Sequence, residues 1–208
     1  VGGGFCELQA QDFFAGTLNF EVKAEGPQAE MMSINKPNNK LTMHLNTGGD
    51  YIVHLSGGRY PKVFMFLADS NYEYSMDMAN RRAFRYSPHA DLNRQTDTLE
   101  LVAKATGRSD TIQGIAVEEY RLRKPGELFL FYVSDEYRVN KAAFPADCRA
   151  KASFLAAGLA GRIPLKTIKK AKGLTVTTTL KGLKPQTFSE EQFMIPPGFE
   201  VKGRDYRF

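Results

Sequence analysis

Apolar and polar residues alternate along most of the first two thirds of the chain, with the period of half-buried β-strands. In Thr17–Lys23, for example, Leu18, Phe20 and Val22 fall on one face and polar residues on the other. Residues typical of turns, such as Gly, Pro and Asn, separate successive segments. The pattern predicts antiparallel strands at Thr17–Lys23, Met31–Asn35, Leu41–Thr47, Tyr51–Leu55, Tyr72–Met78, Arg82–Tyr86, Thr98–Lys104, Ile115–Arg123, Leu174–Leu180 and Gly182–Phe188.

Two further strands are apolar on both faces. Val63, Met65 and Leu67 point one way in Val63–Ala68, and the residues between them are also apolar. Leu128–Val133 has the same character. A strand of this kind must be covered on both sides. We therefore expect one face of each strand to pack in the core and the other to face a helix or a ligand.

The pattern also suggests a register for a hairpin. Pairing Leu45 with Val53 keeps the aliphatic side chains on one face and requires the three-residue loop Gly48–Asp50. In that register His44 and His54 form a cross-strand pair on the opposite face.

One segment has the features of a longer helix, Ala146–Ala160. Pro145 suits a first helical turn, Asp147 complements the positive end of the helix dipole, and Gly161 favours termination. Most of the segment is small and apolar all round, so it must be covered on several sides. It is the predicted central or lid helix of the fold.

The composition is that of a globular domain. Hydrophobic residues make up 42% of the 208 residues and charged residues 25%, so the chain can bury a core, and we predict one domain over residues 1–208. The longest mostly apolar run, Ala152–Gly161, is far shorter than the roughly 18 residues of a membrane span, so no transmembrane segment is predicted. The chain begins at Val1, which suits a processed protein.

The two cysteines, Cys6 and Cys148, are too few for a disulfide framework and lack metal-type spacing. In an exported protein they could form one bridge between the N-terminus and the predicted helix. In a cytosolic protein they would be two buried thiols. The sequence leaves both alternatives open.

The sequence carries none of the usual catalytic or cofactor motifs: no glycine-rich dinucleotide or phosphate loop, no nucleophile elbow, no H-E-x-x-H and no C-x-x-C. We therefore predict no enzyme activity and no cofactor. An enzyme would need a cleft of convergent polar groups, with His44, His54 and His89 as the first candidates. A metal site there would need a further ligand beside the His44 and His54 pair, and the preferred interpretation is two polar side chains on a strand face.

The formal net charge of +5 is dispersed. Arg81–Tyr86 interleaves cations with aromatic residues, and Lys166–Lys172 is a second basic segment. Such segments could follow a nucleic-acid strand, and they could equally bind lipid headgroups or anionic glycans. Solvated edges and turns are the favoured interpretation, because acidic residues elsewhere nearly balance the charge. No nucleic-acid partner is predicted.

The order of several segments resembles a known family. The most specific are the T-I-x-G-x-x-x-E-x-Y stretch at Thr111–Tyr120 and the F-x-I-P-x-G-F ending at Phe193–Phe199, and Gly16–Phe20, Tyr72–Tyr74 and Leu128–Val133 occur in the matching order. The chain resembles the DUF4412-type uncharacterised bacterial envelope proteins, which are similar in architecture to the LolA and LolB lipoprotein carriers.

The resemblance implies a mainly β (α+β) fold: a curved, incompletely closed antiparallel β-barrel that covers a central or lid helix. The carriers hold acyl chains in the apolar cavity between sheet and helix. We therefore predict a non-catalytic periplasmic or secreted protein that binds or carries a lipid, a lipoprotein acyl chain or another apolar ligand. The predicted cavity lining is apolar and aromatic, and consists of Val63, Met65, Leu67, Phe129, Phe131, Phe154 and Leu155.

The alternative prediction is an envelope scaffold or interaction module that binds another envelope protein and no small molecule. Its expected sign is an exposed apolar patch without a cavity.

Overall fold

Twelve strands of the computed structural model, which describes residues 13–33, 37–86, 102–144 and 158–203, form one sheet. The strands are β1 (Gly16–Glu25), β2 (Lys40–Leu45), β3 (Tyr51–Ser56), β4 (Lys62–Leu67), β5 (Tyr72–Asp77), β6 (Arg82–Tyr86), β7 (Lys104–Ile112), β8 (Ile115–Lys124), β9 (Glu127–Arg138), β10 (Arg162–Ala171), β11 (Leu174–Pro185) and β12 (Glu200–Gly203). Their order across the sheet is β12-β6-β5-β4-β3-β2-β1-β11-β10-β9-β8-β7.

The sheet is curved and open, with β12 and β7 as its edges within the described residues. This confirms the predicted mainly β fold and its incomplete closure. Every described pair is antiparallel except β12 with β6, which is parallel. Residues 186–199 carry the chain from β11 across to the far edge, so β12 enters the sheet in the same direction as β6.

Among the described residues, an α-helix occurs where a strand was predicted, and two 3-10 helices occur at Lys141–Ala143 and Glu190–Phe193. The segment predicted as a strand at Met31–Asn35 overlaps helix α1 (Pro27–Ser33), so the strand prediction is wrong there. The proline ring fixes φ near a helical value, which suits Pro27 to the first helical turn, and the helix contains no β-branched residue. The predicted helix Ala146–Ala160 lies almost wholly outside the described residues, as do Cys6 and Cys148.

The basic segment predicted as exposed turns is mostly β10. It lacks a clear apolar period because lysines occupy positions on both faces. Lys166 Nζ lies 4.7 Å from the ring centroid of Tyr132, and Lys169 Nζ lies 5.3 Å from that of Phe129. The long aliphatic stems of lysine can cover aromatic rings while the charge stays near water. The two strands predicted at Leu174–Leu180 and Gly182–Phe188 form one continuous strand, β11.

The hairpin of β2 and β3 forms in a different register from the predicted one. Leu45 pairs with Tyr51 instead of Val53. The connection is longer because Asn46 and Asp50 close it: the Asp50 backbone N–H donates to Asn46 Oδ1 at 2.9 Å, and Asn46 Nδ2 donates to Asp50 Oδ2 at 3.0 Å. A shift of two residues leaves every side chain on its predicted face.

Among the described residues, three apolar clusters form the core. The largest includes Leu18, Leu45, Phe66, Leu165 and Leu180. In the second cluster, side chains of β3–β6 pack against the C-terminal segment; its buried members are Ile52, Met65, Tyr74, Met76, Ala83 and Phe193. The third cluster joins side chains of β8 and β9 to residues that precede β7 and β10, and its buried members are Ala103, Leu122, Phe131, Val133 and Leu159.

Candidate ligand-binding site

Strand β9 presents apolar side chains on both faces and separates two different environments. Phe129 pairs with Leu122 of β8, and Leu130 pairs with Arg121. Because side chains alternate along a strand, Phe129 and Phe131 lie on one face and Leu128 and Leu130 on the other.

The phenylalanine face is packed. The rings of Phe129 and Phe131 stack with their centroids 6.0 Å apart and their planes 13° from parallel. Phe131 is 3% exposed, and Phe129 is partly buried against the third cluster. Lys124 Nζ lies 5.5 Å from the Phe129 ring centroid, within cation–π range. The protein's own side chains therefore occupy most of this face.

The leucine face lines an open groove of about 410 Å³. This volume lies in the lower part of the range of roughly 300–1,000 Å³ that is typical of small-molecule sites. We call it the β9 groove, and define it by its lining residues Ala105, Thr106, Arg108, Glu119, Arg121, Leu128, Leu130 and Lys170. It combines an apolar strip with a polar, mostly cationic rim.

A bulge in β7 shapes one wall of the β9 groove. The pairing of β7 with β8 shifts between Ala105 and Ser109, and Gly107 has a φ of 79°, which favours glycine. Thr106 Oγ1 donates to the backbone carbonyl of Glu119 at 3.2 Å and accepts from the backbone N–H of Arg108 at 3.3 Å. These bonds fix the backbone that carries Thr106 and Arg108 at the groove.

Glu119 is the acidic residue of the groove lining. It is 5% exposed, and its Oε2 accepts a hydrogen bond of 2.8 Å from Tyr132 Oη. Burial, together with the carboxylate of Glu119, raises the pKa of Tyr132 to about 12. Tyr132 therefore keeps its proton at neutral pH and remains the donor to Glu119.

The predicted lining residues do not meet at one place in the described structure. Val63, Met65 and Leu67 belong to the second cluster, and Met65 is 3% exposed beneath the C-terminal segment. Phe129 and Phe131 belong to the third cluster. Phe154 and Leu155 lie outside the described residues, so a lining that includes them stays a prediction.

Leu128 and Leu130 were not among the predicted lining residues. The apolar residues on both faces of Leu128–Val133 could have indicated these two leucines, because the pattern requires each face of the strand to be covered by something. What the pattern could not show is which face the third cluster would fill, since Leu159 and Ala103 reach it from distant parts of the chain.

His44 and His54 meet on one face of the hairpin, although not as a directly opposed pair. Their ring centroids are 5.5 Å apart at 78°, and the His44 ring lies 5.5 Å from Phe188 of the C-terminal segment. His44 Nδ1 is 2.9 Å from Thr17 Oγ1. No group of three metal-ligating side chains occurs within the described residues, and His89 lies outside them.

Burial lowers the pKa of both histidines, and the charge of His54 lowers the pKa of His44 further. The folded state therefore binds fewer protons than the unfolded state once the pH falls below the ordinary value of 6.5. We expect the stabilisation by the neutral histidines to be complete above that value. It should be lost as the pH falls through the lower folded-state pKa values.

Urea unfolding between about pH 7.5 and about pH 5 tests this prediction. The double variant His44→Gln/His54→Gln should show a shallower loss of stability over this range than the unaltered protein. Because carboxylates titrate in both proteins, the difference between the two slopes isolates the histidines. Parallel slopes would contradict the prediction.

No helix among the described residues is both long and apolar enough to cross a membrane.

No protein-family model matches this chain, and no curated protein matches it. Solved structures do match. An uncharacterised conserved protein from Thermus thermophilus aligns over 91% of this chain and 91% of its own, with 11% identity and a TM-score of 0.54. PNGF-II aligns over 91% of this chain with 11% identity and a TM-score of 0.50, and this chain spans 32% of the length of PNGF-II.

A LolA-superfamily protein from Nitrosomonas europaea aligns over 89% of this chain and 91% of its own, with 11% identity and a TM-score of 0.41. It belongs to the superfamily that the sequence resembles, but its score is too low to support a conclusion about this chain. The Thermus and PNGF-II matches show a shared fold and nothing about ligands. Membership of the DUF4412-type family stays a prediction, because no family model matches.

Proposed function

We propose that this protein is a binding protein that holds the apolar chain of a lipid or similar small molecule in the β9 groove. The observation that carries the proposal is the groove of about 410 Å³, with Leu128 and Leu130 in its lining. Both leucines are only partly buried, although they lie on a strand whose other face is packed. An apolar chain laid over them would remove their remaining surface from water, which favours binding.

Within the described residues, the groove is open at the edge of the sheet. Its walls come from β7, β8, β9 and β10, and β7 is an edge strand within the described residues. A ligand can therefore enter without separating paired strands. This distinguishes the leucine face of β9 from the face of Val63, Met65 and Leu67, which the C-terminal segment already covers.

The proposal is for binding without chemistry. The titratable residues that line the groove are Arg108, Glu119, Arg121 and Lys170, and the Glu119 carboxylate is engaged by Tyr132. A general acid or base needs a perturbed pKa and a reacting group within reach. Among the described residues, these groove groups do not form a convergent set for a particular reaction. Export to the periplasm or beyond the cell stays a prediction.

Uncharged probes of increasing length test the apolar part of the groove. We expect octanol, decanol and dodecanol to bind with affinity that rises about fourfold per added methylene, because each buried methylene contributes about 0.8 kcal/mol. Isothermal titration calorimetry below the solubility limit of each alcohol measures the series. Affinity that does not depend on chain length would contradict the proposal.

A matched pair of variants locates the binding. Leu128→Asn/Leu130→Asn should weaken dodecanol binding by on the order of tenfold or more, because the apolar strip becomes polar. Leu41→Asn/Leu55→Asn changes a cross-strand pair of partly buried leucines in the β2–β3 hairpin and should leave binding unchanged. If both variants behave alike, the site is elsewhere. If no probe binds the unaltered protein, the scaffold prediction replaces the proposal.

A further inference from the structure

Among the described residues, the other cations of β10 have carboxylate partners, and the cations of the β9 groove do not. Lys166 Nζ lies 3.8 Å from Asp110 Oδ2, and Lys169 Nζ lies 2.5 Å from Glu127 Oε1. The Nη1 atom of Arg162 lies within 4 Å of carboxylate oxygens of Glu118 and Asp135. Arg108, Arg121 and Lys170 form no such ion pair with any carboxylate of the described residues, although all three line one small groove.

The carboxylate that shares the groove does not balance these charges. Three cations and one carboxylate, Glu119, leave a net charge of +2 on the lining. Glu119 is also buried, and its carboxylate accepts a hydrogen bond from the Tyr132 hydroxyl, so part of its hydrogen-bonding capacity is already used. The groove therefore has unmatched positive charge beside an apolar strip. This combination is complementary to a molecule with one anionic group and one apolar chain.

We infer that the ligand of the β9 groove is an anionic amphiphile, with its chain against Leu128 and Leu130 and its carboxylate or phosphate group against Arg108, Arg121 and Lys170. This inference rests on the proposed function, because it assumes that the groove holds an apolar chain. Arginine provides a planar fork of donors that matches carboxylate and phosphate oxygens. Lysine adds a point charge on a flexible stem, which can adjust to either headgroup.

The three cations come from strands on both sides of the leucine strip. Arg108 is on the bulged part of β7, Arg121 on β8 and Lys170 on β10, so they reach the groove from three different strands. Leu128 pairs directly with Lys170, and Leu130 pairs directly with Arg121. Each leucine thus lies beside one cation. A ligand whose apolar chain lies along the two leucines therefore has its anionic headgroup close to the cationic rim.

Three probes with the same chain and different headgroups test the inference. Dodecanoate should bind the unaltered protein on the order of tenfold more tightly than dodecanol at low salt, and dodecyltrimethylammonium should bind most weakly. The preference for dodecanoate should shrink as salt is added, because the rim is solvent-exposed. Titration calorimetry below the micelle concentration measures all three. Equal affinities for the three probes would overturn the inference and leave the proposed function intact.

A triple variant assigns the preference to the rim. Arg108→Gln/Arg121→Gln/Lys170→Gln should lose the preference, so that this variant binds dodecanoate no more tightly than it binds dodecanol. Lys40→Gln/Lys62→Gln/Lys184→Gln removes the same charge from exposed positions elsewhere and should retain the preference. If the control triple loses the preference equally, general surface charge explains it and the inference is wrong.

A last comparison separates an amphiphile site from a simple anion site. Dodecyl phosphate should bind at least on the order of tenfold more tightly than inorganic phosphate, since the chain contributes burial. If inorganic phosphate binds as tightly as dodecyl phosphate, the rim recognises free anions and the inference is overturned. If no alkyl probe binds at all, the proposed function fails and the inference fails with it.

Discussion

Phe66→Ala is expected to lower the free energy of unfolding by about 3–5 kcal/mol, the usual cost of removing a buried phenylalanine side chain. Phe66 is 1% exposed and lies in the largest core cluster. Its ring stacks on Tyr51 at a centroid distance of 5.3 Å and on Phe144 at 6.0 Å. The substitution removes both ring contacts and leaves a cavity that rigid neighbouring strands cannot fill.

Thermal unfolding followed by circular dichroism measures the effect. For a chain of this size, each kcal/mol changes the melting temperature by about 2–4 °C, so the expected decrease is about 6–20 °C. Tyr60→Ala is the control, because Tyr60 is 60% exposed and should change the melting temperature little. A Phe66→Ala protein that melts within a degree or two of the unaltered protein would show that the largest cluster does not depend on this ring.

The same variant also separates stability from binding. The cluster that contains Phe66 extends to Ile112 of β7 and Leu165 of β10, but it includes none of the residues that line the β9 groove. At temperatures well below its melting point, Phe66→Ala should therefore bind the alcohol series with unchanged affinity, since sites that share no contacting residues usually behave independently.

The two-sided strands were the most informative part of the sequence. The prediction that both faces of Val63–Ala68 are covered is confirmed, since Phe66 lies in the largest cluster and Met65 in the second. What covers each face could not be predicted. The cover of Met65 comes from Phe193 and its neighbours, more than a hundred residues later, and alternation along a strand contains no information about such distant contacts.

Strand positions could be predicted where local alternation is strong and not where charge interrupts it. β6 has the predicted bounds, and β8 differs by one residue. β10 has no apolar period to detect, because lysines pack on aromatic rings of β9. The hairpin register was wrong for a related reason: the side chains of Asn46 and Asp50 determine the loop length, and the aliphatic pattern is the same after a shift of two residues.

The β9 groove could be predicted only in part. Leu128–Val133 indicated that one face of this strand is available, but the groove also needs the bulge at Gly107 and cations from three strands. The three cations, Arg108, Arg121 and Lys170, are far apart in sequence. In the sequence alone, each is indistinguishable from an ordinary exposed charged residue. Their significance depends on which cations already have carboxylate partners, and strand pairing decides that.

Arg162→Met is expected to lower the free energy of unfolding by about 2–4 kcal/mol, combining a lost hydrogen bond from a charged donor with a lost cation–π contact. Arg162 is 9% exposed at the start of β10. Its Nε donates to the backbone carbonyl of Leu159 at 2.9 Å, and its guanidinium carbon lies 4.4 Å from the ring centroid of Tyr120. It therefore joins the turn before β10 to the third cluster.

The ion pairs of Arg162 should contribute little to this loss. Arg162 Nη1 lies 3.8 Å from Glu118 Oε2 and 3.6 Å from Asp135 Oδ1. The side chains of these two acidic residues are 63% and 70% exposed, respectively. Exposed carboxylates are solvated whether or not the cation is present. We therefore expect the destabilisation of Arg162→Met to persist at high salt, when such pairs are screened. Urea unfolding with and without added salt measures both quantities.

Two further variants identify which contact matters. Arg162→Lys keeps the charge but loses the planar group and the Nε donor, so it should recover only part of the stability. Arg123→Met, at an exposed position of the neighbouring strand β8, should change the free energy of unfolding by less than about 0.5 kcal/mol. If Arg162→Lys is as stable as the unaltered protein, charge alone suffices, and the bond to Leu159 does not hold the turn against the third cluster.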